Sequence, residues 1–311
     1  MRKPGRLLVR KILQLSGIGI FILALLVFSF LNKGFTTDDD TSQTSYIGSP
    51  SIPEEMDFCG EEVPLRYYDI RESLERELMV NMYFHSQTLL LIKKSQRYLP
   101  TIEPILKKYK IPDDFKYLMI AEGNLSNSVS PAGATGFWQL LKGTAEDYGL
   151  EVNAEVDERY HLEKATEAAC QYLLDSYSQY ENWTLVAASY NVGRRGVDRQ
   201  IERQNEKNYY DLLFNEETAR YVFRILALKA VLQDPEKYYF DVPRDERYRP
   251  VPFKLITVDS GIEDIAAFAR EHDTNYKLLK YLNPWLRDNQ LTNTGRKSYL
   301  IKIPTRREIT Q

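Results

Sequence analysis

The sequence predicts a mainly α-helical protein that ends in a small α+β module. Three observations support this fold class. Apolar residues recur at helical spacing over most of residues 60–235, alternation typical of strands is absent before Phe253, and the tail then follows the order strand, helix, helix, strand. With 311 residues, of which 43% are apolar and 27% charged, the chain is long enough for one substantial core and one accessory module.

An apolar run of 20 residues at positions 12–31 is long enough to span a bilayer. Five cations precede this run, and Lys33 alone follows it closely. By the positive-inside rule, residues 1–33 are expected to form a cytoplasmic basic tail and an uncleaved transmembrane signal anchor, with the rest of the chain exported. A buried core helix is the alternative interpretation, but it leaves the cations unexplained.

The exported part is acidic. Residues 1–33 contain six Lys and Arg and no acidic residue, so the rest carries 35 cations against 44 acidic side chains, a net charge of −9. That charge argues against nucleic acid as a partner. The histidines lack the short spacings of metal ligands, so no metal and no other cofactor is expected. The histidines are His85, His161 and His272.

Residues 34–59 are rich in Thr, Ser, Asp, Pro and Glu and show no apolar period, which predicts a flexible linker. Helical spacing then predicts one long amphipathic helix over residues 69–98. A second helix is expected after Pro100, ending at about Tyr109.

Pro112-Asp113-Asp114 is a helix-start signal, and the helix that it begins is expected to end at Gly123-Asn124. Further helices are predicted at 162–180, 184–190 and 216–232. All of these helices are assigned to one domain, residues 60–237.

Residues 238–252 contain three prolines and several charges, which predicts a linker. The C-terminal module, residues 253–305, follows it. Its predicted elements are a strand at 253–258, helices at 262–271 and 276–281, and a strand at 298–303.

Glu122 closes the third predicted helix, directly after the apolar run 118–121. An apolar setting and the negative end of the helix dipole should both raise the pKa of its carboxyl group. A carboxylic acid that stays protonated near neutral pH can protonate a glycosidic oxygen. Because a glutamate at a helix end is more often a solvated surface group, the assignment depends on the neighbouring motifs.

Two further stretches supply those motifs. Residues 130–150 read SPAGATGFWQLLKGTAEDYGL, a small-residue loop followed by an apolar, aromatic helix start that contains Gln139. Residues 187–197 read AASYNVGRRGV, in which a helix ends on Tyr190-Asn191 beside glycine. Together with Glu122, these stretches resemble the lytic transglycosylases of the goose-type lysozyme superfamily, and in order and spacing they look like the membrane-bound lytic murein transglycosylase D branch.

The resemblance covers residues 111–235 and implies a lysozyme-like helical catalytic domain in which Glu122 is the catalytic acid and base. Two positions depart from the family: Gly123 stands where serine is usual, and Arg194, expected in a solvated loop, replaces a frequent proline. The resemblance implies substrate-binding roles for Ser130, Gln139, Tyr190, Asn191 and, in the stretch EETARYVFRIL, Tyr221. For Ser130, a role as a loop cap is an equal alternative.

The implied reaction cleaves the β-1,4 bond between N-acetylmuramic acid and N-acetylglucosamine in peptidoglycan and forms a 1,6-anhydromuramoyl product. No second carboxylate is matched, so the N-acetyl group of the substrate is expected to stabilise the cation. A hydrolytic muramidase on the same fold and a weakly active peptidoglycan-binding scaffold stay open as alternatives.

The implied partners are peptidoglycan glycan strands, the inner membrane through the N-terminal helix, and proteins of cell-wall synthesis or division. The expected localisation is a single-pass membrane anchor with the catalytic domain in the periplasm.

The C-terminal module resembles a LysM domain, a glycan-binding strand-helix-helix-strand unit, through Asn283-Pro284 and the closing stretch 299–304. Gly261-Ile262-Glu263 replaces the usual Gly-Asp-Thr, so glycan binding and a docking role are equal alternatives. Whether Cys59 and Cys170 form a disulfide is also left open, with Cys170 favoured as a buried apolar side chain.

Overall fold

A short hairpin opens the part of the chain that the computed structural model describes, residues 48–305. Strand β1 (Asp57–Phe58) pairs antiparallel with β2 (Glu61–Glu62). Phe58 is fully buried and packs on Phe115, with ring centroids 5.5 Å apart. The end of the predicted linker 34–59 therefore belongs to the folded domain, because an aromatic side chain gains more from the core than from solvent.

Eight helices follow in residues 60–237, and we refer to them as the helical domain. They are α1 (Tyr68–Tyr83), α2 (His85–Lys108), α3 (Phe115–Gly123), α4 (Lys142–Asp147), α5 (Leu162–Tyr180), α6 (Trp183–Val192), α7 (Arg194–Gln204) and α8 (Glu216–Gln233). Helix α8 packs against α1, α3 and α6. Val222, Ile225 and Leu226 of α8 are fully buried, so this helix lies at the centre of the core.

The predicted helix over residues 69–98 is wrong in one respect, since the chain breaks at Phe84. The N–H of Phe84 donates to the Val80 carbonyl over 2.9 Å, and its ψ of 51° turns the chain before α2 begins. The Thr88 hydroxyl donates to the Asn81 carbonyl over 2.6 Å, which satisfies an acceptor at the end of α1. Apolar spacing is continuous across this break, so spacing alone does not locate it.

The predicted break at Pro100 is also wrong, because α2 continues through Pro100 and Pro104. Each proline removes a helix hydrogen bond and disfavours the helix by about 3 kcal/mol. Ile102 and Leu106, on the same stretch, are buried in the core. Burial of such side chains contributes about 1.5–3 kcal/mol each, which offsets the loss.

The C-terminal module contains β3 (Phe253–Val258), α9 (Ile265–Glu271), α10 (Tyr276–Leu282) and β4 (Tyr299–Pro304). The two strands pair antiparallel, and their register runs from Phe253 opposite Pro304 to Val258 opposite Tyr299. Each helix is capped at its N-terminus: the backbone N–H of Ala266 donates to Asp264 Oδ1, and that of Leu278 donates to Asn275 Oδ1. The module has its own core, and the predicted fold class, mainly α with a small βααβ module, is confirmed.

The stretch 238–252 is not a free linker at its start. Tyr238, Phe240 and Val242 are buried in the core of the helical domain. Further along, the N–H of Tyr248 donates to the Lys93 carbonyl over 2.9 Å, so the stretch lies against α2. The prolines and charges of this stretch predict a linker. The aromatic and apolar residues at alternate positions instead pack its first part into the core.

The C-terminal module docks on residues 151–163 of the helical domain. Val156 and Tyr160 are part of the core of the module, and Val156 forms a β-bridge with Leu286. The Glu155 carboxylate accepts hydrogen bonds from the backbone N–H and the hydroxyl of Thr292, over 2.7 and 2.5 Å. The module therefore shares both apolar and polar contacts with the helical domain.

The predicted localisation requires correction. Between residues 48 and 305, no helix is long and apolar enough to cross a membrane, since even the long helices α2, α5 and α8 carry several charged side chains. The predicted anchor, residues 12–31, lies outside the described residues.

Both cysteines are free thiols in the structure, so the disulfide left open by the sequence is not formed there. Cys170 has no exposed surface, and burial raises the pKa of its thiol to about 12. It behaves as the buried apolar side chain that the sequence favours.

Candidate active site

Glu122 lies in the last turn of α3, which ends at Asn124 in the left-handed conformation with φ 49°. The Tyr221 hydroxyl, from α8, donates a hydrogen bond to its Oε1. Burial raises the pKa of Glu122, and the Tyr221 hydrogen bond and the charge of Arg224 partly offset this effect. The net direction is upward, as the sequence predicts for a carboxyl group at the end of an apolar helix.

The central helix α8 presents three functional side chains to this carboxyl group. Glu217, Tyr221 and Arg224 are spaced i, i+4 and i+7, and residues at that spacing share one face of a helix. The charge of Glu217 raises the pKa of Glu122, whereas that of Arg224 lowers it. Sequence reasoning identified Tyr221 and missed Glu217 and Arg224, although the helical period around Tyr221 is a signal that could have found both.

Tyr190 lies near the end of α6, and its hydroxyl donates to the Trp138 carbonyl over 2.7 Å. Its ring packs edge-on against Tyr172, with centroids 5.3 Å apart. Burial, and then the nearby charge of Glu122, raise the pKa of the Tyr190 phenol well above its ordinary value. The structure thus brings Tyr190 to Glu122 and joins it to the loop that carries the second motif.

Asn191 follows Tyr190 and is held by the first turn of α8. Its Oδ1 accepts from the Thr218 hydroxyl over 2.8 Å, and its Nδ2 donates to Glu217 Oε1 over 3.3 Å. The amide therefore positions Glu217 beside Glu122. This link explains how the Tyr-Asn motif contributes to the site without a direct hydrogen bond between Asn191 and Glu122.

The sequence predicts that Gln139 lies in a helix start, and this prediction is wrong. Residues 137–140 form a turn, and α4 begins only at Lys142. Gln139 has a positive φ of 47°, and its Nε2 donates to the carbonyls of Gly136, over 2.7 Å, and Ser128, over 3.1 Å. The amide thereby closes the loop on itself. A polar side chain in an apolar run needs such partners, and here the backbone supplies them.

The loop of residues 128–140, which we call the motif loop, packs directly on the end of α3. A Cβ atom on Gly123 would lie 2.4 Å from the Phe137 carbonyl oxygen, closer than any side chain tolerates. The side chains of Phe137 and Trp138 are buried, and Trp138 Nε1 donates to the Thr166 hydroxyl over 2.8 Å. Gly123 therefore lets the motif loop approach the neighbour of Glu122.

Ser130 caps the other end of the motif loop. Its hydroxyl accepts from the Ala134 N–H over 3.0 Å, and its own N–H donates to the Ala134 carbonyl over 2.8 Å. Neither Ser130 nor Gln139 makes a hydrogen bond to Glu122 in the described part of the chain. Of the five predicted binding residues, Tyr190 and Tyr221 lie beside Glu122, Asn191 reaches it through Glu217, and Ser130 and Gln139 shape the motif loop.

Arg194 is not in a solvated loop, because it begins α7 and is partly buried. Its guanidinium donates to the Ser176 hydroxyl over 2.9 Å and to the Tyr148 hydroxyl over 2.9 Å. The guanidinium also lies 4.6 Å from the centre of the Tyr172 ring, which packs on Tyr190. Arg194 therefore supports the aromatic wall of the site.

Comparison with known proteins finds a family match for each of the two parts of the chain. Residues 101–213, which include Glu122, both loop motifs and the Tyr-Asn pair, match the family described as transglycosylase SLT domain. The chain carries an SLT domain. Residues 254–307 match the soluble lytic transglycosylase C-terminal LysM-like domain, so the predicted transglycosylase domain with a LysM-like module is confirmed.

The relatives of the SLT domain include the membrane-bound lytic murein transglycosylase D of Escherichia coli K12 and of Escherichia coli O6:H1. Each is 26% identical over 247 residues, which cover 76% of this chain and 53% of the relative. The chain thus spans about half the length of the curated relatives that it matches. Tyr221 lies beyond the matched SLT range, so its place in the site comes from its contact with Glu122.

Proposed function

We propose that this protein is a peptidoglycan lytic transglycosylase that cleaves the β-1,4 bond between N-acetylmuramic acid and N-acetylglucosamine and closes a 1,6-anhydromuramoyl ring. One observation carries the proposal: a glutamate with a raised pKa lies at the end of a buried helix of an SLT domain, hydrogen-bonded to a buried tyrosine. A group of this kind can act first as an acid and then as a base.

The acid step uses the free oxygen of Glu122. Because the Tyr221 hydroxyl donates to Oε1, the carboxyl proton is directed to Oε2, from which it can pass to the glycosidic oxygen. The raised pKa of Glu122 favours the protonated form that this step needs. The bond to the leaving N-acetylglucosamine breaks as its oxygen takes the proton.

The base step uses the carboxylate that results. The Tyr221 hydroxyl and the charge of Arg224 stabilise this carboxylate, since both lower the pKa of Glu122. Glu122 can then remove the proton from the C6 hydroxyl of the muramic acid, whose oxygen attacks C1 and closes the anhydro ring. This step returns Glu122 to its protonated state.

The cationic intermediate needs stabilisation between the two steps. The carbonyl of the N-acetyl group on the same sugar can supply it from within the substrate. Intramolecular attack of this kind can lower a barrier by roughly 7–11 kcal/mol. Tyr190 and the motif loop, which meet at the Trp138 carbonyl, are the side of the cleft that would hold the sugar in place.

Hydrolysis of the same bond is the second candidate function, and the position of the Glu217 carboxylate favours it. This exposed carboxylate is close enough to raise the pKa of Glu122 and is oriented by Asn191. Inverting glycosidases use a second carboxylate to activate water on the opposite face of the sugar. Glu217 could serve as that base, and the products of the two reactions differ in mass by one water.

A substitution tests the role of Glu122. We expect Glu122→Gln to abolish release of soluble muropeptides from purified sacculi and to leave the thermal unfolding transition unchanged, because the amide keeps the shape of the side chain but cannot transfer the proton. Glu216→Gln is the control, since Glu216 is exposed on the first turn of α8 and, in residues 48–305, pairs only with Arg220, over 3.6 Å. Undiminished release by Glu122→Gln would remove Glu122 from its role.

A further inference from the structure

A pocket of about 390 Å³ lies beside the end of α3, and no residue of the motif loop lines it. Its lining residues come from α1, α2 and α8 and from Ala121 and Asn124, which lie one residue before and two residues after Glu122. Its volume is in the range of pockets that bind small molecules. The pocket therefore lies near the proposed cleavage site, and of its lining residues only Arg224, through its charge, enters the steps derived above.

Two cations at this pocket have no carboxylate within ion-pair distance in residues 48–305. Arg224 lines it and is partly buried, and Lys94 Nζ lies at its edge, 3.4 Å from the Asn124 carbonyl. Within residues 48–305, neither side chain forms an ion pair, and Arg224 donates no hydrogen bond to a protein group. The Arg224 guanidinium therefore presents five donors that no described protein group uses, and a carboxylate ligand can accept from them.

The lining charges of Glu77 and Arg220 neutralise each other, and exposed Glu216 adds one negative charge beside them. Glu77, which is 1% exposed, accepts from Arg220 Nε over 2.7 Å, and Glu216 lies 3.6 Å from the same guanidinium. Arg224 and Lys94 therefore exceed the remaining negative charge by one. The pocket is positive although the chain as a whole has a net charge of −3.

We propose that Arg224 and Lys94 form a subsite for a carboxylate carried on the side arm of the muramic acid. This inference rests on the proposed function, because it takes the substrate to be peptidoglycan. In that polymer the sugars themselves are neutral, and the negative charges are carboxylates attached through the lactyl arm, either the lactyl carboxylate itself or those of the peptide. A planar guanidinium matches a carboxylate with two parallel hydrogen bonds.

The subsite places a charged group of the substrate one helix turn away from the scissile bond. Arg224 and Tyr221 lie three residues apart on the same face of α8, and Tyr221 contacts Glu122. A side arm held at Arg224 would therefore fix which sugar lies over Glu122. Recognition of this kind selects the muramic acid, rather than the glucosamine, as the residue whose C1 is attacked.

The test measures binding rather than turnover, so that it does not depend on the proposed reaction. Glycan strands are titrated calorimetrically into the full chain carrying Glu122→Gln, with and without Arg224→Gln. Four preparations are compared: strands with their peptides and strands freed of peptide by an amidase, each untreated or with all carboxylates converted to methylamides.

We expect Arg224→Gln to weaken binding of the untreated strands by about tenfold, the size of one charge-assisted hydrogen bond, and to leave binding of the methylamide strands unchanged. Arg224→Lys should restore part of the loss. If the loss occurs only with peptide-free strands, the lactyl carboxylate is the ligand, and if only with peptide-bearing strands, a peptide carboxylate is. Equal binding of treated and untreated strands by the Glu122→Gln parent, or an equal loss on both, would overturn the proposal.

Arg203→Gln is the matched control, because Arg203 is exposed in the last turn of α7 and its loss changes the net charge by the same amount. It should leave all four titrations unchanged. One outcome would contradict the proposed function and leave the carboxylate subsite intact. In that outcome the wild-type chain releases nothing from sacculi, but untreated strands still bind more tightly than methylamide strands.

Discussion

At the scale of single residues, the chemistry depends on opposing effects on one carboxyl group. Burial raises the pKa of Glu122, Tyr221 and Arg224 lower it, and Glu217 raises it again. A group that must both release and accept a proton works best when its pKa lies close to the working pH. The neighbours on α8 therefore adjust Glu122 for both steps rather than for one.

This balance predicts opposite pH shifts for two substitutions. The acid step needs protonated Glu122, so activity falls as the pH rises through its pKa. Glu217→Gln removes a negative charge, lowers that pKa and should move the fall to lower pH, whereas Arg224→Gln should move it to higher pH. Exposed charge pairs are worth about 0.2–1 kcal/mol, so each shift should be about half a pH unit.

The measurement is kcat against pH on methylamide strands, which removes any contribution from carboxylate binding. Arg203→Gln again serves as the control and should keep the wild-type profile. Shifts in the same direction for Glu217→Gln and Arg224→Gln would contradict the assignment of Glu122 as the titrating acid.

Substitution of Gly123 should affect both stability and activity, because the motif loop packs directly on this residue. A serine or alanine there would bring Cβ within 2.4 Å of the Phe137 carbonyl, so the motif loop must move. We expect Gly123→Ser to destabilise the fold by about 1–3 kcal/mol and to reduce kcat, although serine is the residue usual in the family. Gly143→Ala in α4 is the control, since nothing lies within 4 Å of its Cβ, and it should stabilise by about 0.4–1 kcal/mol.

The free energies of unfolding of both glycine variants are measured by chemical denaturation. We expect the midpoint to change and the m-value to stay the same. A Gly123→Ser variant as stable and active as the wild type would mean that the motif loop does not rest on α3.

At the scale of elements, the sequence predicts the helices in which apolar residues recur regularly at helical spacing. It does not predict the loops that are held by their own hydrogen bonds. Helix α5 is found at the predicted residues 162–180, and α8 extends the predicted range by one residue. Only the end of the motif loop is predicted wrongly, as a helix start, because its apolar residues Phe137 and Trp138 suit either structure. The positive φ of Gln139 and its bonds to the backbone are tertiary features without a local signal.

The same limit applies to the site. Glu122 could be placed from its helix and Tyr190 from its motif, since each lies at a helix end. Arg194 could not, because its partners Tyr148 and Ser176 are 46 and 18 residues away in sequence. Nothing in the spacing of isolated polar residues indicates which of them meet after folding.

Arg159 holds the motif loop as a unit, so its substitution should change the order of the whole loop. Its guanidinium donates to the carbonyls of Gly133, over 3.0 Å, and Leu140, over 3.3 Å, and is paired with Asp157 over 2.7 Å. We expect Arg159→Gln to loosen the loop and raise KM for glycan strands severalfold, with a smaller change in kcat, because Glu122 itself is not touched. Hydrogen exchange should show loss of protection confined to residues 128–140.

Arg287→Gln is the comparison for Arg159→Gln, because Arg287 stacks on Tyr160 at 4.0 Å in the same region and does not bond the motif loop. A change in kcat alone for Arg159→Gln would contradict a positioning role.

At the scale of the whole molecule, the LysM-like module and the SLT domain share one interface. Lys302 of β4 donates to Glu163 at the start of α5 over 2.5 Å, and His161 Nδ1 lies 3.3 Å from the same carboxylate. Burial alone would raise the pKa of Glu163, but His161 and Lys302 lower it to about 2. The carboxylate form therefore contributes to docking.

The interface predicts a loss of stability in acid. Because the pKa of Glu163 is depressed on folding, its contribution is complete above the unfolded value of about 4.5 and is lost as the pH falls toward 2. The shift corresponds to an upper limit of about 3 kcal/mol. Glu163→Gln should lower the unfolding free energy at pH 7 and flatten its dependence between pH 4.5 and 2.

Glu271→Gln, at the exposed end of α9, is the charge-matched control and should keep the wild-type pH dependence. Identical acid profiles for the wild type and Glu163→Gln would show that the ion pair does not hold the module in place.

The most direct test of the central claim is the fate of water in the reaction. Purified glycan strands are digested by the wild-type chain in ¹⁸O-labelled water, and the new muramoyl ends are analysed by mass spectrometry. Intramolecular ring closure by Glu122 predicts 1,6-anhydro ends that are one water lighter than reducing ends and carry no ¹⁸O. Reducing ends with ¹⁸O at C1 would contradict it and would identify the reaction as hydrolysis.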